Sequence, residues 1–96
     1  MTDEMLRVVL DSAQAKTDKE GWAVMPEGRC LTLYVGHDGV PLTVGKVERV
    51  RLAPGAVRAR NLKGETFFLA LEDVFAAAVD GQEGAGARKP GFFGAG

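Results

Sequence analysis

Arg49, Arg51, Arg58 and Arg60 stand on the two flanks of the segment Ala53-Pro54-Gly55-Ala56. A guanidinium presents a rigid fork of donors that grips carboxylate or phosphate oxygens in pairs, so clustered arginines make an anion-binding surface. Whether these four cluster depends on the elements that carry them. A Pro-Gly dipeptide between two runs in which Arg alternates with Val, Leu or Ala predicts a β-hairpin. Pairing Leu52 with Val57 then sets Val50 against Ala59 on one side of the ribbon. On the other side Arg51 faces Arg58 and Arg49 faces Arg60. A slip of one residue would mix Arg with Val on both faces, which selects this register. Like charges directly opposite each other oppose pairing by roughly 0.2 to 1 kcal/mol per pair, so such a grid invites an anion. The competing reading is a solvated face whose arginines bond to acids such as Glu72 and Asp73, or to a second subunit.

The next segment, Asn61-Leu62-Lys63-Gly64-Glu65, suits a type I turn with Asn first and Gly in the left-handed position. Asn61 then pairs with Glu65, Ala59 with Phe67 and Val57 with Leu69 on the apolar face. On the polar face Arg60 meets Thr66 and Arg58 meets Phe68. A large aromatic among arginines offers a stacking surface beside the charges, which makes Arg49, Arg51, Arg58, Arg60 and Phe68 the candidate partner- or anion-binding set. A second candidate is Phe92-Phe93, two aromatic anchors with cationic flanks in Arg88 and Lys89, in the manner of a short linear motif. The alternative there is that the rings fold back onto their own domain.

Other chemistries find no support. Ser12 and Cys30 are single residues of their kind, and no nucleophile motif surrounds them or joins them to His37 and Asp38. His37-Asp38-Gly39 reads as turn chemistry. A structural metal needs about four ligands at short spacing, against one His and one Cys in the chain. Gly39 to Lys46 has five residues between its glycines where a phosphate-binding loop has four, and Val47 stands where Ser or Thr is required. No catalytic residue, metal or cofactor is therefore expected.

With 96 residues, 46% of them hydrophobic, the chain is long enough for one core and too short for two. A net charge of -1 and an isoelectric point near 5.8 exclude a protein that coats nucleic acid by charge alone, since that affinity comes from neutralising many phosphates. Any basic function must be local. The single cysteine and the acidic start Met1-Thr2-Asp3-Glu4 speak against a disulfide scaffold and a signal peptide, so a cytoplasmic setting without membrane insertion is expected. The absence of Ile, with much Ala, Gly, Val and Arg, suits a bacterial genome of high GC content.

The positioning elements follow from periodicity. Residues 3 to 15 fit a helix (Leu6, Val9, Leu10, Ala13) and also an alternating strand (Leu6, Val8, Leu10), and the β-branched centre tips the reading to strand. Trp22 to Met25 and Cys30 to Val35 read as strands, the latter with Leu31, Leu33 and Val35 on one face. Val40 to Val44 is extended, and Gly45 permits a bend. Leu71, Val74, Phe75, Ala78 and Val79 recur at helical spacing behind Glu72 and Asp73, and Gly81 supplies a stop. The expected fold is α+β: a small antiparallel meander, or partly open barrel or roll, capped by that C-terminal helix. Residues 1–80 would form one globular domain and 81–96 a flexible Gly-rich tail. Leu31, Leu33, Val50, Leu52, Val57, Phe67, Leu69, Val74 and Phe75 would form its core. The expected function is a non-enzymatic protein-interaction module, an adaptor or regulatory subunit that could be homo-oligomeric. The alternative is a binder of nucleic acid or of a small phosphorylated ligand on the arginine face.

Overall fold

The computed structural model describes residues 1–81, so the tail motif Arg88, Lys89, Phe92 and Phe93 lies outside the described residues. Helix α1 (Asp3–Ser12) leads into β1 (Lys16–Thr17), β2 (Ala23–Val24), β3 (Arg29–His37), β4 (Val40–Ala53), β5 (Ala56–Asn61) and β6 (Thr66–Ala70). A single 3-10 turn (Leu71–Asp73) then precedes β7 (Val74–Gly81). All pairings are antiparallel and the main sheet runs β7-β3-β4-β5-β6, with β2 beside the C-terminal half of β4 and β1 beside β2.

The long strand β4 makes this a curled half-barrel. Its first half pairs with β3, from His37↔Val40 to Leu31↔Val47, and its second half pairs with β5, from Val47↔Asn61 to Ala53↔Ala56. One strand serves both partners because they lie on its opposite edges, Val47 facing Leu31 on one side and Asn61 on the other, and β4 bends where they overlap. The register with β3 shifts between Leu31 and Leu33, opposite Gly45 and Lys46, and Lys46 sits at φ 53°. A second shift between Val47 and Arg49 leaves Glu48 as an extra residue. Extra residues of this kind bend a strand and increase its twist. Both hairpin registers expected from the turns are present: Leu52↔Val57, Arg51↔Arg58 and Arg49↔Arg60 in the first, Ala59↔Phe67, Arg58↔Phe68 and Arg60↔Thr66 in the second.

The concave face carries one core. Leu31, Leu33, Val44, Val47, Val50, Val57 and Ala59 from the sheet meet Leu6 and Leu10 of α1 and Ala13 at its C-cap, together with Leu71 and Val74. Leu52, Phe67 and Leu69 pack against this core while remaining partly exposed.

Two expectations are overturned. Residues 3 to 12 form a helix rather than a strand, placing Leu6, Leu10 and Ala13 on one buried face. The Thr2 hydroxyl accepts the Met5 N–H at 3.1 Å, and Asp3 and Glu4 occupy the first turn, where acids favour the helix N-terminus. At the other end Gln14 takes the left-handed conformation (φ 62°), and Ala15 N–H returns to the Leu10 carbonyl. The buried Arg29 side chain reaches across from β3 to donate to the Ala13 carbonyl at 2.9 Å and to Gln14 Oε1 at 3.2 Å. A local β preference of a few β-branched residues is small beside these caps and the packing of one apolar stripe.

The segment expected as the C-terminal helix is instead the 3-10 turn and strand β7, paired with β3 from Arg29↔Gly81 to Val35↔Val74. Without it the apolar strand β3 would have an unpaired edge. Apart from the bulge at Phe75, β7 pairs with β3 along its length, and this backbone pairing outweighs the helical preference of three consecutive alanines. A register shift between Tyr34 and Val35 sets Phe75 out on the convex side. Phe75 is therefore not a core residue: it is 68% exposed, with its ring against Gly36 and 6.4 Å from the ring of Tyr34. Gly81 ends β7 where a Cβ would overlap the Gly28 carbonyl. Among the described residues no helix is long and apolar enough to cross a membrane.

Candidate anion-binding face

On the convex side of β4, β5 and β6 the side chains that alternate away from the core are those of Arg49, Arg51, Arg58, Arg60, Thr66 and Phe68. The two turns make this arrangement locally. Each fixes its register, and the apolar partners Val50, Val57 and Ala59 are buried, which turns the intervening arginines outward. Phe68 is 72% exposed, and the Arg58 guanidinium carbon lies 5.4 Å from its ring centroid. An aromatic face attracts a cation at such a distance, so the ring and the Arg58 guanidinium hold each other in place across β5 and β6.

The four arginines are not equivalent. Arg49 Nε is 3.8 Å from Glu48 Oε2, a long contact, and that Nε is buried without a hydrogen-bond acceptor. The charge of Arg49 also acts on Asp18 in the β1–β2 loop. The Asp18 carboxyl is held below its ordinary value chiefly by the Trp22 backbone N–H, with further contributions from the Glu20 N–H and from Arg49. That corner of the grid is partly neutralised. Arg51, Arg58 and Arg60 are exposed, and none makes an ion pair with a carboxylate among the described residues. Asp73, considered above as an internal acid for the grid, instead lies 3.1 Å from His37 Nδ1. The borders of the face are loops: Gly21 approaches Arg51, and Gly64 approaches Arg60.

Asp18 and Glu48 are the site neighbours that sequence reasoning missed. Glu48 belongs to an unforeseen bulge. Asp18 is brought in by the pairing of β2 with β4, for which two short residues such as Ala23 and Val24 leave no pattern. The only local signal was Asp18 ahead of Gly21, a turn in which Asp18 Oδ1 accepts the N–H groups of Glu20 and Trp22 at 2.9 Å each.

The remaining reactive side chains stay apart. Cys30 and His37 lie near opposite ends of β3, about 23 Å apart at strand rise. Burial, followed by the charge of Asp80, pushes the Cys30 thiol up, away from a nucleophilic thiolate. His37 Nε2 is 3.3 Å from Asp38 at the exposed β3–β4 turn. No three His, Cys, Asp or Glu side chains are arranged to hold a metal ion among the described residues. A shallow groove of about 490 Å³ lies between Cys30, Thr32, Thr43, Lys46, Leu62 and Asp80; its exposed lining is mostly apolar, and the Thr32 hydroxyl donates to Asp80 Oδ2 at 2.8 Å.

No protein-family model matches the chain, and no significant match was found among curated proteins or solved structures.

Proposed function

We propose that this chain is a non-enzymatic interaction module, an adaptor or regulatory subunit, that holds an acidic segment of a protein partner on the arginine face. The observation that carries the reading is the trio Arg51, Arg58 and Arg60, which make no ion pair among the described residues, beside an aromatic ring that is 72% exposed. A domain that must only fold gains nothing from opposed arginines around a wet Phe, because the like charges cost stability and the ring forfeits its burial. Carboxylates from a partner would remove the repulsion, and the ring would be covered at the same time. Desolvated aromatic and arginine side chains are the usual anchors of protein interfaces.

The same face could hold single-stranded nucleic acid or a small phosphorylated ligand, which Phe68 favours because bases stack on exposed rings. The overall acidity of the chain supports the protein reading.

Fluorescence anisotropy with two labelled probes separates the readings: a short peptide rich in Asp and Glu with interspersed apolar residues, and a short single-stranded DNA. Binding of the peptide, weakened by salt and lost in an Arg58→Gln/Arg60→Gln variant, is the expected result. Tighter binding of the DNA moves the function to nucleic acid. If neither probe responds to the substitutions, the arginine face is not the site.

A further inference from the structure

We propose that the acidic segment binds as an added strand on the free edge of β6. This rests on the reading of the arginine face and specifies how the partner sits there. Strand β6 pairs with β5 on one side and with no strand on the other among the described residues. The direction of its backbone groups follows from the turn. Asn61 N–H donates to the Glu65 carbonyl at 3.0 Å, which makes that pair a hydrogen-bonded one. Antiparallel pairs alternate, so Phe67 and Leu69 point their N–H and C=O groups at β5, whereas Thr66, Phe68 and Ala70 point theirs at the open edge. An extended peptide can take up such a row of donors and acceptors, with its side chains read by the flanking surfaces.

Three features favour this edge. Native sheets commonly protect an edge with Lys, Pro or a bulge, yet the five residues Thr66-Phe67-Phe68-Leu69-Ala70 contain none of these. The other end of the sheet, β7, does carry a bulge at Phe75. Charge selects the occupant. Arg60 lies across from Thr66, a small residue over which a long guanidinium can reach, so an acidic side chain of the added strand beside Thr66 would meet it. Beside Phe68 the added strand would carry an apolar residue against the exposed ring. On the concave side, further apolar residues would cover Phe67 and Leu69, which are only partly buried. The ligand is thus an extended peptide with acidic and apolar residues on one face and apolar residues on the other.

Two tools separate backbone pairing from charge attraction. The first is the acidic peptide N-methylated at alternate residues, in two versions of opposite parity. Both keep every charge, and only one removes the N–H groups that would face β6. The second is Ala70→Pro. Ala70 has φ -76° and ψ 129°, values that proline adopts, and its N–H points to the open edge, so the substitution leaves the β5 pairing intact. The expected result is loss of affinity by about tenfold or more for one methylated parity and not the other, and a similar loss in Ala70→Pro with an unchanged Tm. Equal binding of both methylated peptides and of Ala70→Pro overturns the added strand and leaves the arginine face standing. Absence of binding by any peptide form overturns both. Self-association of the wild type that Ala70→Pro abolishes, and that the peptide does not compete with, also overturns the proposal, because a second copy would then own the edge.

Discussion

Arg58 and Phe68 sit directly opposite each other on β5 and β6, with the guanidinium carbon 5.4 Å from the centroid of a ring that is mostly exposed to solvent. An exposed contact of this kind is worth about 0.5 to 1 kcal/mol, too little to account for a large wet aromatic by stability alone. Phe68→Ala should therefore cost no more than about 1 kcal/mol in chemical denaturation. In the anisotropy assay the same variant should lose most of its affinity for the acidic peptide. A stability loss of a buried aromatic's size would make the ring a structural element and remove it from the site.

Arg51 faces Arg58 across β4 and β5 and makes no ion pair among the described residues. Arg51→Thr should leave the denaturation midpoint unchanged, or raise stability by a few tenths of a kcal/mol, because a like-charge pair disappears and Thr suits a strand. Arg58→Thr should show less gain, since it also forfeits the contact with Phe68. A loss above about 1 kcal/mol in Arg51→Thr would reveal a compensating acid.

The paired strands β3 and β7 make opposite demands on two apolar residues, Leu33 of β3 and Phe75 of β7. Leu33→Ala removes a fully buried side chain facing the core and should cost about 2 to 5 kcal/mol. Phe75→Ala, on the convex side of β7, should cost under about 1 kcal/mol despite the larger side chain. Were residues 71–79 an amphipathic helix with Phe75 inward, Phe75→Ala would be the more damaging of the two, so urea titration of both variants checks β7.

The β1–β2 loop should be sensitive to acid. The folded Asp18 carboxyl lies below its ordinary value of 3.8, first because the Trp22 N–H bonds its charged form. A lowered folded value means that its stabilising effect is present above pH 3.8 and is lost as the pH falls through the lower, folded value. Trp22 is the single tryptophan, so its fluorescence reports on the loop. Asp18→Ala should have a lower Tm than the wild type at neutral pH, and the two should converge below pH 3.8. An unchanged gap at low pH would show that the carboxylate charge does not hold the loop.

How much of this was legible in the sequence depended on how far the deciding contacts reach along the chain. Both hairpins were readable because Pro54-Gly55 and Asn61 to Gly64 act within a few residues, and each turn carries its register and facing pairs with it. The arginine face follows, since alternation beside buried Val50, Val57 and Ala59 leaves the arginines only one direction. The half-barrel, in which β4 bends near Lys46 between β3 on one edge and β5 on the other, is legible in the sequence only as a meander, partly open barrel or roll. Tertiary structure alone decided the two ends. Residues 3 to 12 satisfy both periodicities, and they became a helix because Leu6, Leu10 and Ala13 had a concave sheet to cover and Arg29 a helix end to bond. Residues 71–79 have helical spacing, and from Val74 on they became a strand because β3, whose paired residues lie between 39 (Val35↔Val74) and 52 (Arg29↔Gly81) positions earlier in the chain, needed a partner for its edge. Backbone pairing at that separation leaves no mark in a short window of sequence, because its free energy comes from peptide groups that every residue carries alike.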